Sequence, residues 1–260
     1  MNLISSVRSQ AVAARLQYLS LRGRIAGEYR RIYHYHVRKT GGTSLNSAVL
    51  SAFGLDFSSL ERCKRVRRGG LAFVQHNRPL IKKGKFFFAS SHAAAHALRV
   101  PAETFTVTVL RNPVDRVVSH YRYLLSVRTD AQARERERPF MKALEREMHW
   151  LGESFADFLD RMPREHLLRQ LFMFSANYDI QEATERILTC SAVCFTETFN
   201  EDLRVLSRRL EIPLKVRHER RSVTRLPLPE RDMRLARELL ESEFTMLERV
   251  RKGLGIVYHY

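Results

Sequence analysis

The chain of 260 residues is 44% hydrophobic and sets 45 Lys and Arg against 28 Asp and Glu, a formal charge of +17. That length buries the core of one large domain. The charge draws anionic partners, whether nucleic acid, acidic glycan, phospholipid headgroups or a phosphorylated cofactor, without choosing among them. Cys63, Cys190 and Cys194 form an odd set at irregular spacing, which excludes a disulfide framework and a zinc pattern and fits a reducing compartment.

Residues 1–30 read as a basic helical extension, with Leu3, Ile4, Val7, Leu16 and Leu19 hinting at an apolar stripe. Arg8 and Arg15 interrupt the apolar run, so it has neither the core of a signal peptide nor the length of a membrane span. The expectation is a soluble, cytoplasmic protein without a membrane anchor, its first helix packed on its own domain. Peripheral contact with an anionic membrane is the other use of such a helix. Residues 31–260 then make up the main domain.

Four runs rich in β-branched and aromatic residues read as buried strands: 32–37 IYHYHV, 86–89 FFFA, 104–110 TFTVTVL and 192–196 AVCFT. Between them lie helical faces, one formed by Leu45, Ala48, Val49 and Phe53, another by Val114, Val117, Val118, Tyr121 and Leu125. Alternating strands and helices predict an α/β fold of three layers, a central parallel sheet with helices on both faces. Residues 128–177 read as mainly helical, with RERER on a solvated face, and one last helix is expected over about 229–252. The basic segment 215–225, KVRHERRSVTR, follows Pro213 and reads as a loop or extended segment.

Two short stretches carry chemistry. RKTGGTSL, 38–45, joins the first strand to the first helical face. Backbone N–H groups and the helix dipole converge at such a place and suit an anion. Gly41 and Gly42 permit close approach, Thr43 and Ser44 can cap the helix and donate hydroxyl protons, and Lys39 adds a charge. The lysine precedes the glycines, unlike in the nucleotide-triphosphatase loop, which disfavours a kinase or ATPase. An ordinary strand-to-helix turn is the plain alternative. The second stretch, LRNPVDRVVSHY, begins where the third strand ends. Asn112 is placed to cap a helix whose first position is Pro113 and whose first turn holds Asp115. By helical spacing Ser119 shares a side with Asp115 and Arg116.

Together and in this order, RKTGGTSL and LRNPVDRVVSHY resemble the cofactor signatures of sulfotransferases that use 3′-phosphoadenosine-5′-phosphosulfate (PAPS). The closer likeness is to the carbohydrate-type branch, which includes heparan sulfate 2-O-sulfotransferase and bacterial relatives. HLLRQLFMFS (166–175) and AVCFTETFNEDL (192–203) are weaker echoes of the same family. Arg38 stands where the family usually has proline, and Asn112 where it often has aspartate.

The resemblance implies a nucleotide-kinase-like α/β fold and a soluble, bacterial-type enzyme with PAPS as donor, PAP as product and no metal. It implies that Arg38, Lys39, Thr40, Gly41, Gly42, Thr43 and Ser44 hold the 5′-phosphosulfate, with Lys39 at the oxygen that bridges phosphate and sulfate. Arg111 and Ser119 would bind the 3′-phosphate, and Arg221 in the basic loop would reach cofactor or acceptor. The partner is a hydroxyl-bearing acceptor such as an acidic glycan; no nucleic acid is expected.

A hydroxyl acceptor needs a general base, and His92, just past the second strand, is the candidate; there Ser91 replaces the family's glycine. Glu197 is the alternative base. His92 and His96 would share a helix face as metal ligands do, but no acidic third ligand accompanies them. His34 and His36 alternate on one strand face and either pack there or line the acceptor cleft. His120 points elsewhere. The rival readings are a kinase using the same loop for ATP and a basic, non-catalytic nucleic-acid-binding protein. The latter lacks any recognisable nucleic-acid-binding motif.

Overall fold

The structure, a computed structural model, describes residues 3–22, 25, 28–215 and 227–256. They form two compact units: one built from the chain up to Leu110 together with 189–220, the other from 111–188 and the chain from Arg221 onward.

The first unit contains, in order, α1 (Leu3–Arg22), β1 (Arg31–Tyr35), α2 (Gly42–Ala52), α3 (Phe57–Cys63), β2 (Arg65–Arg68), β3 (Leu71–Gln75), α4 (Arg78–Lys82), β4 (Phe88–Ser91) and β5 (Thr104–Leu110). The second unit takes α5 (Pro113–Thr129), α6 (Ala131–Arg136), a 3₁₀ turn at Arg138–Phe140, α7 (Met141–Met148), α8 (Phe155–Arg161), α9 (Arg164–Leu167), α10 (Arg169–Phe174) and α11 (Ile180–Leu188). The chain then returns to the first unit for β6 (Ala192–Phe195) and α12 (Phe199–Leu210), and ends with α13 (Glu230–Leu239) and α14 (Glu241–Gly253) of the second.

The fold is α/β, a six-stranded, mostly parallel central sheet flanked by helices, in the order β2-β3-β4-β1-β5-β6. All pairings are parallel except β2 with β3. Those two strands escape the sequence reading. Arg65, Arg67 and Arg68 make β2 too charged for a buried run, and an edge position accommodates them. Gly69 and Gly70, both at positive φ (52° and 81°), form the turn between β2 and β3, and the Gly-Gly pair is a legible hairpin signal.

The sequence-predicted face of α2 is buried throughout, at Leu45, Ala48, Val49 and Phe53. Phe53, Phe73 and Phe87 interlock with ring centroids 5.1 to 5.8 Å apart. Each such buried side chain contributes roughly 1.5–3 kcal/mol. Leu16 and Leu19 of α1 join the same core. On α5 it is Leu124 that is buried and Leu125 only half-buried. The expected single last helix is two, broken at Leu240. Among the described residues no helix is long and apolar enough to cross a membrane.

Candidate functional site

In the first unit, the stretch 38–44 runs from the C-terminal end of β1 into α2. Gly41 is the N-cap of α2, at φ 84°, and no side chain caps the helix. Thr43 and Ser44, expected as caps, lie inside the first turn instead, half-buried. Ser44 N–H donates to the Gly41 carbonyl at 2.9 Å, while the Gly42 and Thr43 N–H groups have no side-chain cap and lie at the positive end of the helix dipole, a setting suited to an anion. Lys39 sits in the left-handed region at φ 67°, a strained conformation for a residue with a side chain, and both Lys39 and Arg38 are half-buried.

Hydrogen bonds through Thr40 and Thr196 hold this loop. The Thr40 hydroxyl donates to the Val37 carbonyl at 3.0 Å. The Thr196 hydroxyl donates to the Thr40 carbonyl at 2.6 Å and lies 3.2 Å from the Leu110 carbonyl. The Thr196 N–H donates to that same Leu110 carbonyl at 2.8 Å. Thr196 thus ties the loop to the ends of β5 and β6, a role that nothing in its local sequence announces. Gly42 is needed for space: a Cβ there would lie 2.2 Å from His36 Cδ2 and 2.7 Å from His34 Cε1.

Beneath Gly42 runs a row of imidazoles. Ring centroids are 4.9 Å apart for His34 and His36, 4.4 Å for His36 and His92, and 4.8 Å for His92 and His76. The neighbouring strands β3, β4 and β1 bring the last three together, each just past the end of its strand. His34 Nδ1–H donates to Asn46 Oδ1 at 2.8 Å, and Asn46 Nδ2 donates to Ser90 Oγ at 3.1 Å. This leaves His34 Nε2 and His36 Nδ1 buried without a hydrogen-bond partner.

His92 Nδ1–H donates to the His36 carbonyl at 2.6 Å, which assigns that proton and leaves Nε2 as the basic nitrogen of the neutral ring. The Ser91 hydroxyl accepts from the Ala93 N–H at 3.1 Å and hydrogen-bonds Tyr33 Oη at 2.8 Å, so serine supplies a turn at the position where glycine was expected. Residues 95–97 form a turn rather than a helix, so His92 and His96 do not share a helix face. Among the described residues no group of three or more His, Cys, Asp or Glu side chains is arranged to hold a metal ion. Glu197 is exposed, in the turn after β6.

Burial pushes His34 down to about 4 from its ordinary 6.5, against the opposing Asn46 hydrogen bond. His36 is lowered well below 6.5, by burial first and then by its neighbours His92, His34 and His76 and by Arg38. His76 is pushed the same way by desolvation and by the Lys64 and Arg38 cations, and its exposed position lets water screen much of that effect. At neutral pH these three rings are uncharged.

For His34 the folded value lies below the unfolded one. Its stability contribution is therefore complete above about pH 6.5 and is lost as pH falls toward 4. Urea unfolding should show a loss of about 2 kcal/mol between pH 7 and pH 5 from this residue alone. His34→Gln should flatten that slope; an unchanged slope would show that His34 is not its source.

In the second unit, Arg111 follows the end of β5 directly. Asn112 Oδ1 accepts from the Val114 and Asp115 N–H groups at 3.0 and 3.2 Å, and Pro113 opens α5, as the sequence indicates. Arg111 and Ser119 are half-buried. The side that Asp115, Arg116 and Ser119 were expected to share divides: Asp115 is exposed, while Arg116 is fully buried and lies against Glu243. His120 Nε2 pairs with Glu147 Oε2 at 2.9 Å inside this unit. Arg221 and most of the basic segment 215–225 lie outside the described residues.

An α/β sheet with a lysine-bearing strand-to-helix loop, whose helix start no side chain caps, suits the binding of an anionic group. A model of the sulfotransferase family matches residues 23–246, and the chain belongs to that family. No curated protein matches it as a relative.

Proposed function

We propose that this sulfotransferase takes its sulfuryl group from PAPS and transfers it to a hydroxyl of a carbohydrate or glycan, with His92 as general base. The observation that carries this reading is the uncapped start of α2 behind Lys39, in the same unit as His92 with its fixed Nδ1 proton. The donor set fits the cofactor. Main-chain N–H groups at Gly42 and Thr43, the Thr43 and Ser44 hydroxyls and the Arg38 and Lys39 cations are all groups that favour anionic oxygens.

When bound, PAPS supplies an activated sulfuryl group whose departure leaves PAP. In this reading Thr40, Gly41 and Gly42 shape the loop, and the amides and hydroxyls of the first turn hold the non-bridging oxygens. Lys39 neutralises charge that develops on the leaving oxygen. Arg111, with a guanidinium that can grip phosphate through two parallel bonds, and Ser119 take the 3′-phosphate. Arg221 adds a cation from the basic segment. His92 Nε2 accepts the proton of the acceptor hydroxyl. The surplus of cations favours an acidic acceptor such as a uronate-bearing or already sulfated glycan. The enzyme is proposed to work in the cytoplasm without a metal.

The test is a calorimetric titration with PAP, with AMP and Mg-ATP as controls at one salt concentration. Tight binding of PAP alone is expected. In Arg111→Ala the loss should fall on PAP and spare AMP. Equal affinity for PAP and AMP in the wild-type protein would remove the 3′-phosphate assignment, and preference for Mg-ATP would favour a kinase.

A further inference from the structure

The main chain of Arg111 is gripped by a side chain. The Arg111 N–H donates to Gln170 Oε1 at 2.8 Å, and Gln170 Nε2–H donates to the Arg111 carbonyl at 2.9 Å. One amide thus forms with Arg111 the paired bonds that two opposed strand residues exchange. The second Nε2 hydrogen of Gln170 goes to Glu243 Oε2 at 3.1 Å. Glu243 Oε1 accepts the main-chain N–H groups of Gln170 at 2.6 Å and Leu171 at 3.1 Å. Arg116 lies on the far side of Glu243, with Nε 3.7 Å from Oε2, and its Nη2 donates to the Leu167 carbonyl. Gln170, Glu243 and Arg116 are each 0% exposed.

This arrangement leaves the Gln170 amide one orientation. A carboxylate only accepts and the Arg111 N–H only donates, so Oε1 and Nε2 cannot exchange places. The ion pair behind it has no evident purpose in stability, since a buried Arg–Glu pair is often matched or bettered by apolar side chains of similar volume. Its geometric effect is specific: it aims one amide at one residue. With both main-chain groups of Arg111 held and Asn112 committed to capping α5, the direction in which the Arg111 side chain leaves the backbone is set, and with it the accessible rotamers.

We propose that Gln170, oriented by Glu243 and Arg116, is a positioning residue that aims the Arg111 guanidinium at the 3′-phosphate of the cofactor. The proposal rests on the reading of Arg111 given above.

Two substitutions probe it. Glu243→Gln changes one acceptor into a donor facing Gln170 Nε2. The Gln170 amide must then turn over, which sets its nitrogen against the Arg111 N–H, or the contact must open. Gln170→Met keeps a side chain of similar length and leaves Glu243 its main-chain donors, but removes both bonds to Arg111. Calorimetry on each variant, on Arg111→Ala and on the double variant Gln170→Met/Arg111→Ala would use PAP and AMP as probes.

The expected result is PAP affinity weakened roughly tenfold in Glu243→Gln and in Gln170→Met, with AMP affinity held within about twofold. Gln170→Met should add little to Arg111→Ala, because both act through the same group. If Arg111→Ala is selective for PAP but the other two variants leave PAP unchanged, or weaken PAP and AMP equally, the positioning role is overturned. If Arg111→Ala itself loses PAP and AMP equally, the cofactor assignment fails and the positioning role falls with it.

Discussion

Lys39→Ala is expected to lower kcat by about a hundred- to a thousandfold, the loss typical of removing one preorganised group from a developing negative charge. Sulfuryl transfer, like phosphoryl transfer, needs in-line positioning and charge stabilisation more than covalent help from the protein. In the proposed reading Lys39 serves this role: it lies two residues before the Gly41 N-cap of α2 and is half-buried, so its charge is screened less than at an open surface. Its left-handed backbone at φ 67° remains with alanine, so the substitution removes the charge without relieving that strain. The assay is PAP release from PAPS with a uronate-containing oligosaccharide, alongside calorimetry with PAP. A kcat within about fivefold of wild type would exclude Lys39 from leaving-group stabilisation.

His92→Ala is expected to keep PAP affinity and to lose at least about a hundredfold in turnover, the lower end of what a general base contributes. The carbonyl of His36 already holds the Nδ1 proton, so the ring presents the tautomer a base requires at Nε2. The adjoining His36 and His34 rings are kept neutral by burial, which would spare the proposed base competing charge. Comparing kcat with PAP affinity separates the outcomes. Parallel loss of both would point to a structural role for His92, and unchanged turnover would shift attention to Glu197, exposed in the turn after β6.

Several of the candidate residues sit in elements that were legible locally. A strand ending in RKTGGTSL announces a turn into a helix, because Gly41 must reach positive φ and the apolar spacing of Leu45, Ala48, Val49 and Phe53 begins at once. Asn112 followed by Pro113 announces the start of α5 by the same local logic: a side-chain acceptor for the first N–H groups, then a residue with φ already helical. The Gly69-Gly70 turn between β2 and β3 is a local hairpin signal, but the charge of β2 makes sense only at a sheet edge, and edge position is not a local property.

By itself, then, the amino-acid sequence determined the strand-loop-helix start, the capped entry to α5, the α/β class and the sulfotransferase family, though not a branch of it, since each rests on hydrogen bonds and steric limits within a few residues or on a motif pair in order. The tertiary structure alone decided the row formed by His76, His92, His36 and His34, the tether from Thr196 to Thr40, and the Gln170, Glu243 and Arg116 group around Arg111. Those contacts join residues far apart in the chain. They exist because strand order and helix packing bring particular side chains within about 3–5 Å, a coincidence that no local spacing encodes.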